Sequence, residues 1–234
     1  MSLFDLVQTI QIINLPFRTD RRREMTAELE SKNCPAGKAE FFDAIRPDCT
    51  AGFPTIGARG CFLSHVTVLR NFANGSDEAM LVLEDDVKLL DVTSTLFDEI
   101  DRVDWDIIYF GRSNKPAEKT TATLTKLEPG EPVQGTYCYA ISRDTAGKLA
   151  TYMESCLTRE PGDPEGGPMH ADGAFNMLRQ RDPSLNVFLT EPYIIGCRRS
   201  GSDVHDTSIT QMERSIPFAN TVLSMVRKIR NRLD

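Results

Sequence analysis

Apolar positions fall into short unbroken runs, separated by stretches in which they recur every three or four residues. Val7 to Leu15 predicts a strand that ends in the polar turn Asn14-Leu15-Pro16-Phe17-Arg18. Thr19 or Asp20 is placed to cap a helix running to about Lys32, with Met25 and Leu29 turned inward. Ala39 to Ala44 predicts a short second strand. After Gly57-Ala58-Arg59-Gly60, the spacing of Phe62, Val66, Leu69 and Ala73 predicts a second helix. Ala79 to Leu83 and Trp105 to Phe110 show no alternation, as expected of strands buried on both faces. Thr136 to Ile141 predicts a further strand, followed by a helix from about Arg143 to Glu154. A helix from Asp172 to Gln180 and a strand from Asn186 to Thr190 come next, and helical spacing resumes at about Met212.

Strands alternating with helices predict an α/β fold, a mostly parallel sheet flanked by helices. One such domain is expected over residues 1–211, with 212–234 as a separate C-terminal helix. Residues 112–134 read as a long loop with a small hairpin near Thr121 to Leu127. Residues 160–168 concentrate Pro, Gly and acidic residues and read as a mobile segment. Residues 198–210 are polar and Ser-rich.

Charge narrows the field. Lys plus Arg number 27 and Asp plus Glu 34, a net charge of −7. A general nucleic-acid binder needs cationic excess to displace counterions, so nucleic acid is not an expected partner. A local basic site for a phosphorylated ligand remains compatible with that balance. No run approaches the roughly 20 apolar residues of a membrane span. The N-terminus lacks the basic and apolar regions of a secretory leader. The 6 cysteines are scattered without a CxxC pair, which fits free thiols and a cytoplasmic setting.

Five segments carry chemistry. In Leu83-Glu84-Asp85-Asp86 a buried strand ends in consecutive carboxylates, at the edge where open α/β sheets bind ligands. A hard divalent cation, Mn²⁺ or Mg²⁺ bridging a diphosphate, would offset that repulsion; an acidic surface turn is the plainer alternative. Arg18, Arg21, Arg22 and Arg23 surround a helix N-terminus and suit a phosphate, or else form a solvated basic face. His65, in Gly60-Cys61-Phe62-Leu63-Ser64-His65, lies beside an apolar stripe and reads either as a hydrogen-bonded core residue or as part of a site. Asp172, at a helix start, reads as an N-cap, as a general base, or as both. The tail joins Arg227, Lys228, Arg230 and Arg232 to an apolar stripe at Val222, Leu223, Met225, Val226 and Ile229. Such a helix either lies on an anionic membrane, through residues 219–234, or packs on its own domain.

In this order the segments resemble glycosyltransferase family 25, the lipooligosaccharide glycosyltransferases related to collagen galactosyltransferases. The resemblance is carried by Ile13-Asn14-Leu15 with Arg18, Asp20 and Arg21, by Phe42-Asp43-Ala44, and by Gly60-Cys61-Phe62-Leu63-Ser64-His65. It continues in Leu81-Val82-Leu83-Glu84-Asp85-Asp86-Val87, Gly135-Thr136 with Tyr139, Asp172, and Ser202-Asp203-Val204. It implies a GT-A type, Rossmann-like fold and an inverting transfer of a hexose, most often galactose from UDP-galactose, to a glycan or glycolipid acceptor. Asp86 with Glu84 or Asp85 would bind Mn²⁺ or Mg²⁺, and His205 or Asp203 would add a third ligand. Asn14, Arg18, Arg21 and Asp43 would line the uridine end, Ser64 and His65 would lie near the donor, and Asp172 would be the base. The loops at 112–134 and 157–170 would close over the donor. A nucleotidyltransferase, a family member without catalysis and a membrane-associated interaction module are the rival readings.

Overall fold

The computed structural model describes residues 2–91, 94–111, 123–191 and 193–197. The helix expected from Met212, the tail at 219–234, Asp203 and His205 lie outside the described residues.

In the described residues, the central sheet has seven strands. They are β1 (Thr9–Asn14), β2 (Ala39–Asp43), β3 (Ala79–Glu84), β5 (Ile107–Tyr109), β6 (Thr123–Lys126), β7 (Cys138–Ser142) and β8 (Val187–Glu191), in the order β2-β1-β3-β7-β5-β8-β6. β1 pairs in parallel with β2 and β3, and β5 with β8; β7 runs antiparallel between β3 and β5, and β6 antiparallel on β8. The sheet is therefore mostly parallel, as expected, with β6 and β7 reversed. β4 (Val87–Leu89) and β9 (Ile195–Cys197) form a separate antiparallel pair.

The strand β3 explains the layering. Ala79 to Leu83 are all buried. Met80 and Val82 face a core with Val66, Leu69 and Phe72 of α2 (Ile56–Ala73), Leu149 and Met153 of α4 (Arg143–Cys156) and Phe175 of α5 (Ala171–Arg181). Leu81 and Leu83 face the other core, with Met25 and Leu29 of α1 (Thr19–Ser31) and Phe97 of α3 (Ser94–Ile100). The alternation of a strand thus feeds two apolar layers, and no face is left for polar residues.

Several local expectations need correction. α1 has Arg18 at its N-cap with no side-chain capping bond, so neither Thr19 nor Asp20 caps it. α2 starts at Ile56, ahead of Gly60, because Thr55 Oγ1 accepts from the Ala58 amide at 2.9 Å. Of the segment expected to hold a hairpin, the described residues contribute strand β6, which pairs with β8. Residues 160–168 form no helix or strand, but they are fastened. The Glu165 carbonyl accepts from Arg159 Nη1 at 2.8 Å and from the Tyr152 hydroxyl at 3.1 Å.

Because five strands run the same way, their carboxyl ends share one edge. The reversed β7 begins there, and so do α2 and α5, each of which runs back along the sheet before the strand that follows it. Helix N-termini and strand carboxyl ends therefore converge.

Candidate active site

That edge holds a cleft of about 750 Å³. The ends of β1 and β3 form its floor with Ile13, Leu15, Glu84, Asp85 and Asp86; the β2–α2 connection forms a wall. Gly60, Cys61 and Ser64 of α2 line its inner side.

The wall is held at close range. Ser64 Oγ accepts from the Ile45 amide at 2.8 Å and donates to the Gly60 carbonyl at 2.7 Å. A Cβ on Gly60 would stand 2.5 Å from the Ile45 carbonyl oxygen, so only glycine permits this approach. Behind the wall, a Cβ on Gly52 would meet Pro161 Cγ at 2.8 Å. The 160–168 segment therefore buttresses the β2–α2 connection. This position behind the wall differs from the expected place of residues 157–170 over the donor.

The three carboxylates of the β3 terminus have different surroundings. Asp85 is withdrawn: its Oδ2 accepts from Asn14 Nδ2 at 2.7 Å and its Oδ1 from Arg21 Nη1 at 2.7 Å. Both side chains are nearly buried. Asn14 Oδ1 accepts in turn from Arg22 Nε at 3.1 Å, and Arg22 Nη2 pairs with Asp43 at 2.8 Å. Asn14, Arg21, Arg22, Asp43 and Asp85 thus form one hydrogen-bond and ion-pair network joining β1, β2, α1 and the β3 end. Of these, Arg21 and Asp85 line the cleft, whereas Asn14, Arg22 and Asp43 do not, and neither does Arg18. Arg18 pairs with Asp20 at 3.1 Å.

Asp86 and Glu84 remain at the cleft. Asp86 has Arg21 at 3.7 Å. Its pKa is pushed up to about 6, by burial first and then by Glu84, with Arg21 opposing. A neighbouring carboxylate pair that Arg21 compensates only in part, with oxygen donors at the mouth of a cleft, fits a hard divalent cation. Asp85, nearly buried and ion-paired to Arg21, fits a scaffolding part better than a ligand's.

His65 supports this pair from inside. It is fully buried, its Nδ1 lies 3.0 Å from the Tyr139 hydroxyl, and its Nε2 lies 3.6 Å from Glu84 Oε1. It does not line the cleft. Asp172 sits in the first turn of α5, after an N-cap at His170. Its Oδ2 accepts from the Gly135 amide at 3.0 Å and its Oδ1 from the Gly173 amide at 2.8 Å. It lies outside the cleft lining, yet its charge reaches Cys61. The Cys61 thiol is pushed well up by burial, then by Glu84, Asp172 and Asp86.

Two cleft residues escaped sequence reasoning. Phe17 is 52% exposed and lies beneath the Arg46 guanidinium, 5.2 Å from ring centroid to Cζ. The signal was present as an aromatic residue stranded in a polar turn at a strand end. Arg46 follows β2 and carried no periodic signal.

A profile described as Glycosyltransferase family 25 (LPS biosynthesis protein) matches residues 54–163. Mouse procollagen galactosyltransferase 2 is 29% identical over 80% of this chain and 34% of its own length. The human inactive glycosyltransferase 25 family member 3 is 31% identical over 59% of this chain and 28% of its own. The chain therefore spans about a third or less of these relatives. A solved glycosyltransferase involved in glycosylation of the PBCV-1 major capsid aligns over 79% of this chain and 82% of its own, with 14% identity and a TM-score of 0.47.

Proposed function

We propose that the chain is a family 25 glycosyltransferase, to whose profile it is similar over residues 54–163, and that it is a metal-dependent inverting hexosyltransferase using a UDP-sugar, with UDP-galactose as the first candidate. The acceptor is a hydroxyl of a glycan or glycolipid such as lipooligosaccharide. The observation that carries the reading is the division of labour at the β3 end. Asp85 is locked to Arg21 and Asn14, while Glu84 and Asp86 stand at the floor of a cleft of about 750 Å³. That volume lies within the range of small-molecule and cofactor pockets.

In this reading Glu84 and Asp86 hold Mn²⁺ or Mg²⁺. The bound ion supplies electrostatic stabilisation of the departing diphosphate. Arg21 faces the same negative charge. Phe17, backed by Arg46, offers a flat apolar face for the nucleobase. Asp172 is the proposed base: its two amide contacts orient the carboxylate, and its remaining lone pairs can accept the acceptor's proton. As the acceptor oxygen bonds to the anomeric carbon, the bond from that carbon to the diphosphate oxygen breaks and UDP leaves with the electron pair. His205 or Asp203, outside the described residues, would add a third ligand, and residues 219–234 would contact anionic membrane at the cytoplasmic face.

Asp86→Asn tests the core of the reading. Metal-dependent UDP-hexose binding, read by calorimetry, is expected to weaken by about 100-fold or more, since even outer-shell changes cost 10–100-fold. Unchanged binding would remove Asp86 from the ion. Asp172→Asn should keep donor binding and lose transfer; normal transfer would place the base elsewhere. Removal of residues 219–234 should weaken binding to anionic vesicles, and equal binding would retire the membrane contact.

A further inference from the structure

Cys61, His65 and Glu84 bring a sulfur, an imidazole nitrogen and a carboxylate oxygen to one point, all within 4.8 Å of one another. Cys61 and His65 are four residues apart on α2, so they share a face of the helix. Glu84 arrives from the end of β3, on the neighbouring element.

The imidazole is held in a fixed orientation. His65 is fully buried, and Tyr139 meets its Nδ1 at 3.0 Å. That contact turns Nε2 toward Glu84, at 3.6 Å. A hydrogen bond on the far nitrogen is how metal-bound histidines are generally oriented. Thr136 Oγ1, at 3.4 Å from Nε2, is the other polar group beside that nitrogen. Cys61 lines the cleft, so an ion has a way in.

We propose that Cys61 Sγ, His65 Nε2 and the Glu84 carboxylate form a site for a thiophilic divalent cation of the zinc class, with its fourth position opening on the cleft. Sulfur and imidazole donors select zinc over Mn²⁺ or Mg²⁺, which prefer oxygen alone. The ligand atoms must draw together to reach bonding distances of about 2.0–2.3 Å. Glu84, whose side chain is 28% exposed, has room to supply that movement. The site shares Glu84 with the proposed Glu84–Asp86 pair, so a zinc-class ion takes a ligand from the hard cation and opposes it. This last consequence rests on the proposed function; the site itself does not.

Cobalt(II) is the probe, because a Co²⁺–thiolate bond gives a charge-transfer band in the near ultraviolet. The full chain titrated with Co²⁺ should show that band, and Zn²⁺ should abolish it. Cys61→Ser should lose the band, while Cys49→Ser, at an exposed cysteine, should keep it. A folded wild-type protein without the band, or a Cys61→Ser variant that retains it, overturns the proposal. A parallel activity measurement separates the two readings. Zn²⁺ should depress Mn²⁺-supported transfer in wild type at least tenfold more than in Cys61→Ser. If the band behaves as expected but no transfer is seen under any condition, the metal site stands and the enzyme reading fails.

Discussion

Asp85 and Asp86 are chain neighbours with opposite electrostatic situations. Asp85 spends both oxygens on Arg21 and Asn14. Removing one partner of such a buried pair leaves an uncompensated charge and costs about 3–5 kcal/mol. Arg21→Ala is therefore expected to lower the unfolding free energy by about 3 kcal/mol, measured by denaturant titration. A loss under about 1 kcal/mol would show the pair to be no more than a surface contact. Asp86 predicts a pH dependence. Its folded pKa, about 6, lies above the ordinary value of 3.8. Its ionisation therefore costs the metal-free fold stability at neutral pH, and that cost is relieved as pH falls through about 6 toward 4. A cation needs the ionised form, so Mn²⁺ affinity should fall below about pH 6 by up to roughly tenfold per unit. Affinity constant from pH 7 to pH 5 would contradict this. At this scale the sequence showed that carboxylates gather at the strand end. Which of them points to solvent and which is locked away depends on Arg21 and Asn14, far off in the chain, and had no local signal.

At the scale of elements, the long apolar runs were legible and the short pieces were not. Ala79 to Leu83 is buried on both faces, and no other element suits five such residues bounded by turns. β4 and β9 have three residues each, too few for a period to emerge, and they exist because they pair with each other. The neighbourhood of β6 suggests local pairing in a hairpin; among the described residues its partner is β8, some sixty residues on. Cys61 and His65 are legible as a pair one helical turn apart, but the third donor, Glu84, comes from another element. Gly60 offers the sharpest test of the element packing. Gly60→Ala places a methyl 2.5 Å from the Ile45 carbonyl, a backbone atom that cannot rotate away. Destabilisation of about 1–3 kcal/mol is expected, with weaker nucleotide binding as the β2–α2 wall moves. Equal thermal melting of the variant and wild type would show that the wall yields freely.

On the scale of the molecule, the fold builds a floor of carboxylates and a wall of loop at one sheet edge. Five strands end there, and the reversed β7 begins there. The segment at 160–168 stands behind the wall rather than over the cleft, because Gly52 and Pro161 pack against each other. Closure over a donor was expected from the composition of that segment, which marks a loop without saying where it docks. The carbohydrate acceptor was never legible, since a sugar pocket is set by single contacts between distant residues. The most direct test titrates the full chain with a panel of nucleotide sugars by calorimetry, with and without Mn²⁺. Tight binding of one UDP-hexose that disappears without Mn²⁺ is the expected result, and it would name the donor. A folded sample that binds no nucleotide sugar, with or without the ion, would contradict the central claim.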